Sequence, residues 1–363
     1  MTRYVGVFVA DTAPRIRVGT MYELSDQAGV TTKIGVAPYP RVDELGTPYP
    51  AGALIEIESP AKDLDDAVAV TTAIADAVVV LLNLATPGFT TFPHAEVVYA
   101  VDGPIPRPAY FFTAGWTPGP RTQDLDHALF EQLLRGMFSL AEEPMWRTSH
   151  AGNNFRLALQ DPDPAMRVPT TYAGLEFLNP LLDPTYGSQY TGPGQSKGVG
   201  GYFESEHGAT FEAKARGARN GIVHGKQAIS DLASDLNAID TPVLESLRKA
   251  IIAEIGVTAA PWTAPADINA PGRLGDARMT IVGEMTPNGD GDVAPVGYRH
   301  PVVILEGWGL TASHVDPDGT YHAEAKPKLR MGLADGATLH ISQVRVTTAA
   351  GVDVQLSNPT VGH

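Results

Sequence analysis

Phe211-Glu-Ala-Lys-Ala-Arg-Gly-Ala-Arg-Asn-Gly-Ile-Val-His-Gly-Lys226 is the most informative stretch of the chain. Its centre, Arg219-Asn220-Gly-Ile-Val-His224, has the form R-N-x3-H. On a helix, Asn220 and His224 lie one turn apart, about 40° around the axis, and Arg219 lies beside them. The stretch therefore predicts a helix end that carries a permanent cation, an amide and a group that titrates near neutral pH.

These three side chains suit the cleavage of an RNA phosphodiester. A guanidinium holds a phosphate with its planar fork, and an imidazole carries protons at pH 7. His224 would move the proton of the 2′-hydroxyl or of the leaving oxygen, while Arg219 stabilises charge on the phosphorus. We expect catalysis by Arg219, His224 and Asn220, with no metal and no cofactor.

The charge around the motif differs from that of the whole chain. Residues 211–229 carry a net charge of +3 and residues 230–256 a net charge of −3. The charged side chains of the first segment are Glu212, Lys214, Arg216, Arg219 and Lys226. The whole chain has a formal charge of −15, which argues against a protein that coats nucleic acid. The pattern favours one focused phosphate site, with Lys214, Arg216 and Lys226 as substrate-binding residues.

Three glycines, Gly217, Gly221 and Gly225, recur at four-residue spacing through the same stretch. Each should destabilise a helix by about 1 kcal/mol relative to alanine. Such a glycine stripe is tolerable if another backbone packs closely on it, for example across a dimer interface.

The motif resembles the R-x4–6-H motif of ribonucleases in the HEPN (higher eukaryotes and prokaryotes nucleotide-binding) superfamily, in which an asparagine commonly follows the arginine. A second part lies upstream. Phe155–Arg167, followed by Thr171–Leu178, is similar to the opening helices of HEPN domains, where an aromatic residue and a Leu-Glu pair precede the motif helix. The resemblance covers roughly residues 146–257, which is under a third of the chain.

The resemblance implies a domain of four to five helices that dimerises and brings two R-x4-H motifs into one composite, metal-independent endoribonuclease site. Arg219 and His224 match the catalytic pair, and Asn220 matches the polar residue that orients them. Glu176 matches the acidic residue of the earlier helix, which is often structural. The chain departs from the family at Pro169 and Pro180, and residues 187–201 form a glycine-rich insertion, predicted to be a loop.

The N-terminal part predicts strands around one long helix. Residues 61–86 contain no proline and begin with acidic residues, which complement the dipole at a helix start. The segments with the character of strands are Tyr4–Ala10, Thr31–Ala37, Leu54–Glu58, Glu96–Val101 and Ala109–Thr113. This mixture predicts an N-terminal α+β domain over residues 1–145.

The rest of the chain predicts helices and then strands. The segments that favour helices are Asp124–Glu142, Ser149–Gln160, Tyr172–Leu182, the proline-free run 194–241, and Pro242–Ile255, which has its proline at the start. The C-terminal strand segments are Val302–Glu306, Leu339–Val346 and Val352–Leu356, and a change of phase at Ser342–Gln343 predicts a bulge. We therefore predict an α+β multidomain chain with a central α-helical HEPN-like bundle over 146–257 and a β-rich C-terminal region over 258–363.

Composition excludes several classes of site. The chain has no cysteine, so it has no disulfides, thiol nucleophiles or thiolate zinc sites. Its ten histidines show no metal-ligand spacing, and no metal site is predicted. The most apolar stretch, Ala67–Ala85, contains several polar residues and predicts a soluble core helix, not a membrane span. The first ten residues are too short an apolar run for a secretory signal, and we expect a cytoplasmic protein.

Three functions remain open at this point. The first is a HEPN-type endoribonuclease that acts on RNA as a homodimer. It would serve as a stress, phage-defence or toxin–antitoxin effector, with a regulatory protein or a small-molecule signal. The second is a non-catalytic HEPN-like module that binds a nucleotide, RNA or a protein. The third is a metabolic enzyme whose site lies in the flanking domains, which a deep polar pocket away from residue 219 would favour.

Overall fold

The computed structural model describes residues 1–10, 14–42, 48–86, 93–101, 107–116, 123–194 and 196–258, together with five strands between residues 274 and 357. These residues form an antiparallel β-sheet and a region of seven α-helices, so the chain is α+β. The strands are β1 (Thr2–Ala10), β2 (Pro14–Arg15), β3 (Thr20–Ser25), β4 (Thr31–Val42), β5 (Pro48–Ala61), β6 (His94–Ala100), β7 (Arg107–Trp116), β8 (Gln123–Asp124), β9 (Leu274–Thr286), β10 (Val302–Val315), β11 (Tyr321–Gly332), β12 (Thr338–Thr348) and β13 (Asp353–Ser357). The helices are α1 (Leu64–Ala85), α2 (His127–Ser139), α3 (Glu142–Gln160), α4 (Pro164–Tyr186), α5 (Lys197–His207), α6 (Ala209–Val223) and α7 (Ile229–Glu254).

The main sheet has the strand order β13-β12-β9-β7-β6-β1-β5-β4-β3. All of its pairings are antiparallel, and three strands from the C-terminal region extend it beyond β7. Strands β10 and β11 form a separate hairpin. The predicted domain boundaries at residues 145 and 257 stay a prediction.

Strand positions follow the sequence pattern closely. Each of the eight predicted strand segments overlaps a strand of the structure, and five strands are additional: β2, β3, β8, β9 and β11. The predicted bulge is confirmed, because the pairing of β12 with β9 shifts register between Ile341 and Gln343. In β3, Tyr22 and Leu24 are buried while Glu23 and Ser25 are exposed. The sequence of this strand therefore contains a short alternation of apolar and polar residues that could have indicated it.

Helix α1 joins the sheet to the helical region. Asp63 caps its start by accepting a hydrogen bond from the backbone N–H of Asp66. One side of the helix packs on β1, β5 and β6, and it also packs against α2 and α3. By length and composition α1 could cross a membrane, but its last eight residues, Val78–Ala85, are all buried in the protein. This is the environment of a core helix and fits a soluble protein.

Helix α4 lies at the centre of the helical region, in contact with α3, α5, α6 and α7. It is longer than predicted and contains Pro169, Pro180 and Pro184. Each proline removes one backbone hydrogen bond, but buried side chains such as Leu175 and Leu178 keep the helix packed.

Two predictions about the helices are wrong. No new helix begins at Pro242, because α7 runs through this residue and buries Ile239 on the turn before it and Val243 and Leu247 after it. The glycine-rich segment 187–201 is also not one loop, since α5 begins at Lys197. A Cβ atom on Gly201 would lie 2.1 Å from the carbonyl oxygen of Tyr186, and one on Gly198 would lie 2.7 Å from that of Asn179. These glycines let α5 pack directly on the backbone of α4.

Candidate functional site

The motif helix α6 ends one residue before His224. The backbone N–H of Lys226 donates to the carbonyl of Gly221 at 2.9 Å, and that of Gly225 donates to Ile222 at 3.1 Å. Gly225 has a φ of 60°, so these bonds form a Schellman motif that closes the helix. His224 is the C-cap residue, and its side chain is exposed.

The three glycines of α6 have separate roles. Gly225 closes the helix, as described. A Cβ atom on Gly221 would lie 3.0 Å from the side chain of Leu232, so this glycine lets α7 pack closely within the same chain. Gly217 faces open space. The three glycines therefore do not form one shared packing stripe, and both Gly217 and Gly225 have open space beside them.

Arg219 is held by two neighbours. Its Nη2 donates to both carboxylate oxygens of Glu176 on α4, at 3.0 and 3.2 Å, and its Nη1 donates to Oδ1 of Asn220 at 3.1 Å. The guanidinium carbon lies 5.8 Å from the ring centre of Tyr172, within the range of a cation–π contact. The side chain is 24% exposed, and its Nε–H has no hydrogen-bond partner among the described residues. Arg219 is positioned but still reachable from solvent.

A polar cavity of about 270 Å³ lies against Arg219. We call it the polar cavity. Its wall is formed by α4, by α6 and by the segment between α4 and α5. The lining residues are Tyr172, Glu176, Tyr190, Pro193, Gly194, Ser196, Arg216, Arg219 and Asn220.

Buried Glu212 fixes a second arginine of the polar cavity. Its Oε1 accepts a hydrogen bond from Nε of Arg216 at 2.8 Å and another from the hydroxyl of Tyr190 at 2.7 Å. Burial and the hydrogen bond to Glu212 raise the pKa of Tyr190 to about 12, so its hydroxyl stays a donor at neutral pH. The same carboxylate raises the pKa of Arg216. Both arginines of the polar cavity are therefore paired with a carboxylate.

The structure brings some predicted residues together and separates others. Arg219, Asn220 and Arg216 line the polar cavity, and Glu176 contacts Arg219. His224 does not line it. Lys214 is exposed and forms an ion pair with Asp235 at 3.0 Å, and Lys226 is exposed beyond the helix end. The local charge of +3 is thus largely offset by two carboxylates that are distant in sequence, Asp235 and Glu176.

Sequence reasoning missed Tyr172, Tyr190, Ser196 and Glu212. The sequence did indicate the ion pair of Glu212 with Arg216, because the two residues lie four apart on the same helix. Tyr190 and Ser196 lie in the glycine-rich segment, whose sequence has no periodic pattern from which the direction of a side chain could be predicted. Ser196 donates to Glu176 at 3.3 Å and so extends the network around Arg219.

Among the described residues, no group of three or more histidine, aspartate or glutamate side chains is placed to hold a metal ion. No family model, no curated protein and no solved structure matches the chain.

Proposed function

We propose that the chain is a metal-independent endoribonuclease of the HEPN type, acting in the cytoplasm as a stress or phage-defence effector. The observation that carries this proposal is the last part of α6. There, a partly exposed arginine is held at the wall of a polar cavity, and an exposed histidine follows five residues later at the helix end. This supplies a phosphate-binding cation and a proton carrier in one short segment.

In the proposed reaction the 2′-oxygen of the substrate attacks the phosphorus. His224 of one copy accepts the 2′-hydroxyl proton, and His224 of the second copy gives a proton to the departing 5′-oxygen. Arg219 stabilises the charge that builds on the phosphoryl oxygens, and Asn220 orients Arg219. The P–O5′ bond breaks, leaving a 2′,3′-cyclic phosphate and a 5′-hydroxyl. Lys226 is placed to contact the RNA backbone beyond the site.

A second copy is required because His224 and Arg219 do not share the polar cavity in one chain. Two large apolar side chains flank His224 in sequence and are exposed: Val223 is 53% and Ile229 is 54% accessible. Gly217 on the same helix faces open space. These features support self-association through the α6–α7 corner. Val223→Asp should convert a dimer to a monomer in sedimentation equilibrium and stop cleavage, whereas Met166→Asp on α4 should do neither.

The test is cleavage of single-stranded RNA by the purified full chain in excess EDTA. Arg219→Ala and His224→Ala should each reduce the rate at least about 100-fold, as expected when a charge-stabilising or proton-transferring group is lost. Arg135→Ala, an exposed arginine with an i,i+4 glutamate partner, and His207→Ala, a histidine at the end of α5, are matched controls. Unchanged cleavage in both motif variants would rule out the site.

One observation favours a second candidate, a non-catalytic module that binds a nucleotide, RNA or a protein. Arg216 and Arg219 are already paired with carboxylates, and His224 lies outside the polar cavity. Under this alternative, labelled RNA or nucleotide binds without being cleaved. Binding is then lost in Arg219→Ala and kept in His224→Ala.

A further inference from the structure

A second, larger cleft lies away from the polar cavity, with a volume of about 1210 Å³. One wall is α1, and the other is the corner where α2 meets α3. The turn between β3 and β4 closes one end. We call it the apolar cleft. It shares no lining residue with the polar cavity.

Exposed apolar side chains are concentrated in the apolar cleft. Nine large hydrophobic residues are exposed in the described part of the chain, and four of them line this cleft: Met1, Val30, Met145 and Trp146. Trp146 is 49% accessible. A contiguous apolar surface of this kind marks a binding site in a soluble protein. Methionine adapts to different partners, and tryptophan is enriched among the residues that dominate interface energies.

The indole of Trp146 is held in place before any partner arrives. It meets the imidazole of His150 edge-on at 4.6 Å and the ring of Phe177 at 6.0 Å. Phe177 in turn stacks on His150 at 5.0 Å. The guanidinium carbon of Arg147 also lies over the indole, 5.5 Å from its centre. Because these contacts limit the movement of the ring, little conformational entropy is lost when a ligand packs on its accessible half.

The charged lining of the apolar cleft is mostly acidic. Five carboxylates and one lysine line it: Asp26, Asp66, Asp76, Glu142, Glu143 and Lys62. Glu143 already pairs with Arg147, and Asp76 faces buried Arg156, but the five carboxylates still exceed the four cations when both arginines and the amino group of Met1 are counted. Glu142 forms no ion pair with any described residue. The cleft therefore attracts positive charge.

We propose that the apolar cleft binds a basic amphipathic helix of a partner protein. Its volume exceeds the roughly 300–1000 Å³ of small-molecule pockets and suits a helix about 10 Å wide that inserts an apolar stripe. The apolar floor receives side chains at positions i, i+3, i+4 and i+7, and lysines or arginines beside the stripe meet Asp66 and Glu142. A second copy is disfavoured as occupant because the surface assigned to self-association, at Val223 and Ile229, shares no residue with the apolar cleft.

The test uses a displayed library of random peptides of roughly 16 residues, about four helical turns, selected on the full chain. Enriched sequences should show the apolar helical spacing and a net positive charge. The best peptide is then labelled, and its affinity is measured by fluorescence anisotropy. Replacing its lysines and arginines with glutamate should weaken binding at least about tenfold.

Protein variants locate the binding site. Trp146→Ala and Glu142→Lys should each lower the affinity of the chain for the peptide at least about tenfold. Leu157→Ala, an exposed apolar residue of the same helix outside the cleft, and Asp65→Lys, an acidic first-turn residue of α1 outside it, should leave the affinity unchanged. Three results would overturn the proposal: no enrichment, enrichment of acidic or non-helical sequences, or equal binding by Trp146→Ala and Glu142→Lys. A dimer that Trp146→Ala dissociates would also overturn it, by showing that a second copy fills the cleft.

Discussion

Arg219 and Arg248 both lie in the helical region, but their surroundings differ. Arg248 on α7 is 5% exposed, and its Nε and Nη2 donate to the carbonyl of Leu84 in the last turn of α1, at 3.0 and 2.7 Å. Burial lowers its pKa to about 10. Arg219 faces the polar cavity, is held by Glu176 and Asn220, and keeps contact with solvent. Both arginines link two helices, but Arg248 does so in the protein interior and Arg219 does so where solvent reaches its side chain.

The difference shows which property separates a structural arginine from a candidate site. A buried cation at the C-terminal end of a helix interacts with the helix dipole and satisfies carbonyls that have no partner within the helix. Its donors are used inside the protein, and no ligand can reach them. An arginine at a cavity wall with a spare N–H can add a phosphate to its partners. Access and unused donors therefore matter more than the presence of charge.

The largest expected effect on stability is at Arg248. Arg248→Met removes two hydrogen bonds to a buried carbonyl and should lower the free energy of unfolding by about 2–4 kcal/mol. Arg219→Met breaks a partly exposed ion pair and should cost less than about 1 kcal/mol. Urea denaturation of both variants measures the contrast. Equal losses in the free energy of unfolding would mean that Arg219 stabilises the fold as much as Arg248 does.

The next effect concerns the helix that precedes the motif helix. A Cβ atom on Gly201 would meet the backbone of Tyr186 at 2.1 Å, so Gly201→Ala should destabilise the fold by about 2–3 kcal/mol. Gly217→Ala is the matched change on the open face of α6, where the gain in helix propensity should stabilise the fold by about 0.5–1 kcal/mol. Thermal unfolding distinguishes them. A stable Gly201→Ala protein would contradict the close packing of α5 on α4.

A smaller effect is expected at the partner of Arg219. Glu176→Gln keeps the shape of the side chain but removes its charge, so the guanidinium is held less firmly. If the chain is a ribonuclease, kcat should fall about tenfold with little change in KM, because a positioned group is displaced while substrate contacts remain. Glu206→Gln, at a carboxylate that pairs with Lys249, is the control. A change in KM alone would place Glu176 in substrate binding and not in positioning.

The smallest effect is a pH dependence at His207. Its ring packs against Phe203 and Phe211, at 6.5 and 4.4 Å, and this loss of hydration lowers the pKa of His207. Glu206 and Glu245 partly oppose the shift, and Lys249 adds to it. A lowered pKa gives stability that is present above about pH 6.5 and is lost as the pH falls toward the folded-state value. Between pH 7 and pH 5, Tm should fall slightly more in the wild type than in His207→Gln. Identical profiles of Tm against pH for the wild type and His207→Gln would contradict a lowered pKa of His207 in the folded state.

Local sequence pattern predicted eight of the thirteen strands and helix α1. Runs of β-branched residues and alternating hydrophobicity indicated strands, and the proline-free run with acidic residues at its start indicated α1. The bulge near Ser342 also followed from a phase change. The proline at position 242 led to the wrong prediction that a helix begins there. The burial of Val243 and Leu247 outweighs the one backbone hydrogen bond that the proline removes, and this burial depends on how the helices pack.

The candidate site was only partly predictable for the same reason. Arg219, Asn220 and Arg216 are within one short helix, so their spacing indicated a shared location. Tyr190 reaches the polar cavity through a segment with no periodic pattern, and Glu212 is buried in a way that its charge did not suggest. The separation of His224 from the polar cavity depends on where α6 ends, which the Schellman motif at Gly225 decides.

The most direct test of the central proposal compares one RNA oligonucleotide with the same sequence carrying 2′-deoxy nucleotides, in excess EDTA. The wild-type chain should cleave the RNA to products with 2′,3′-cyclic phosphate and 5′-hydroxyl ends, and should leave the deoxy version intact. His224→Ala should cleave neither. Cleavage of the deoxy version, or RNA cleavage that persists in His224→Ala, would contradict attack by the 2′-hydroxyl with His224 as proton carrier.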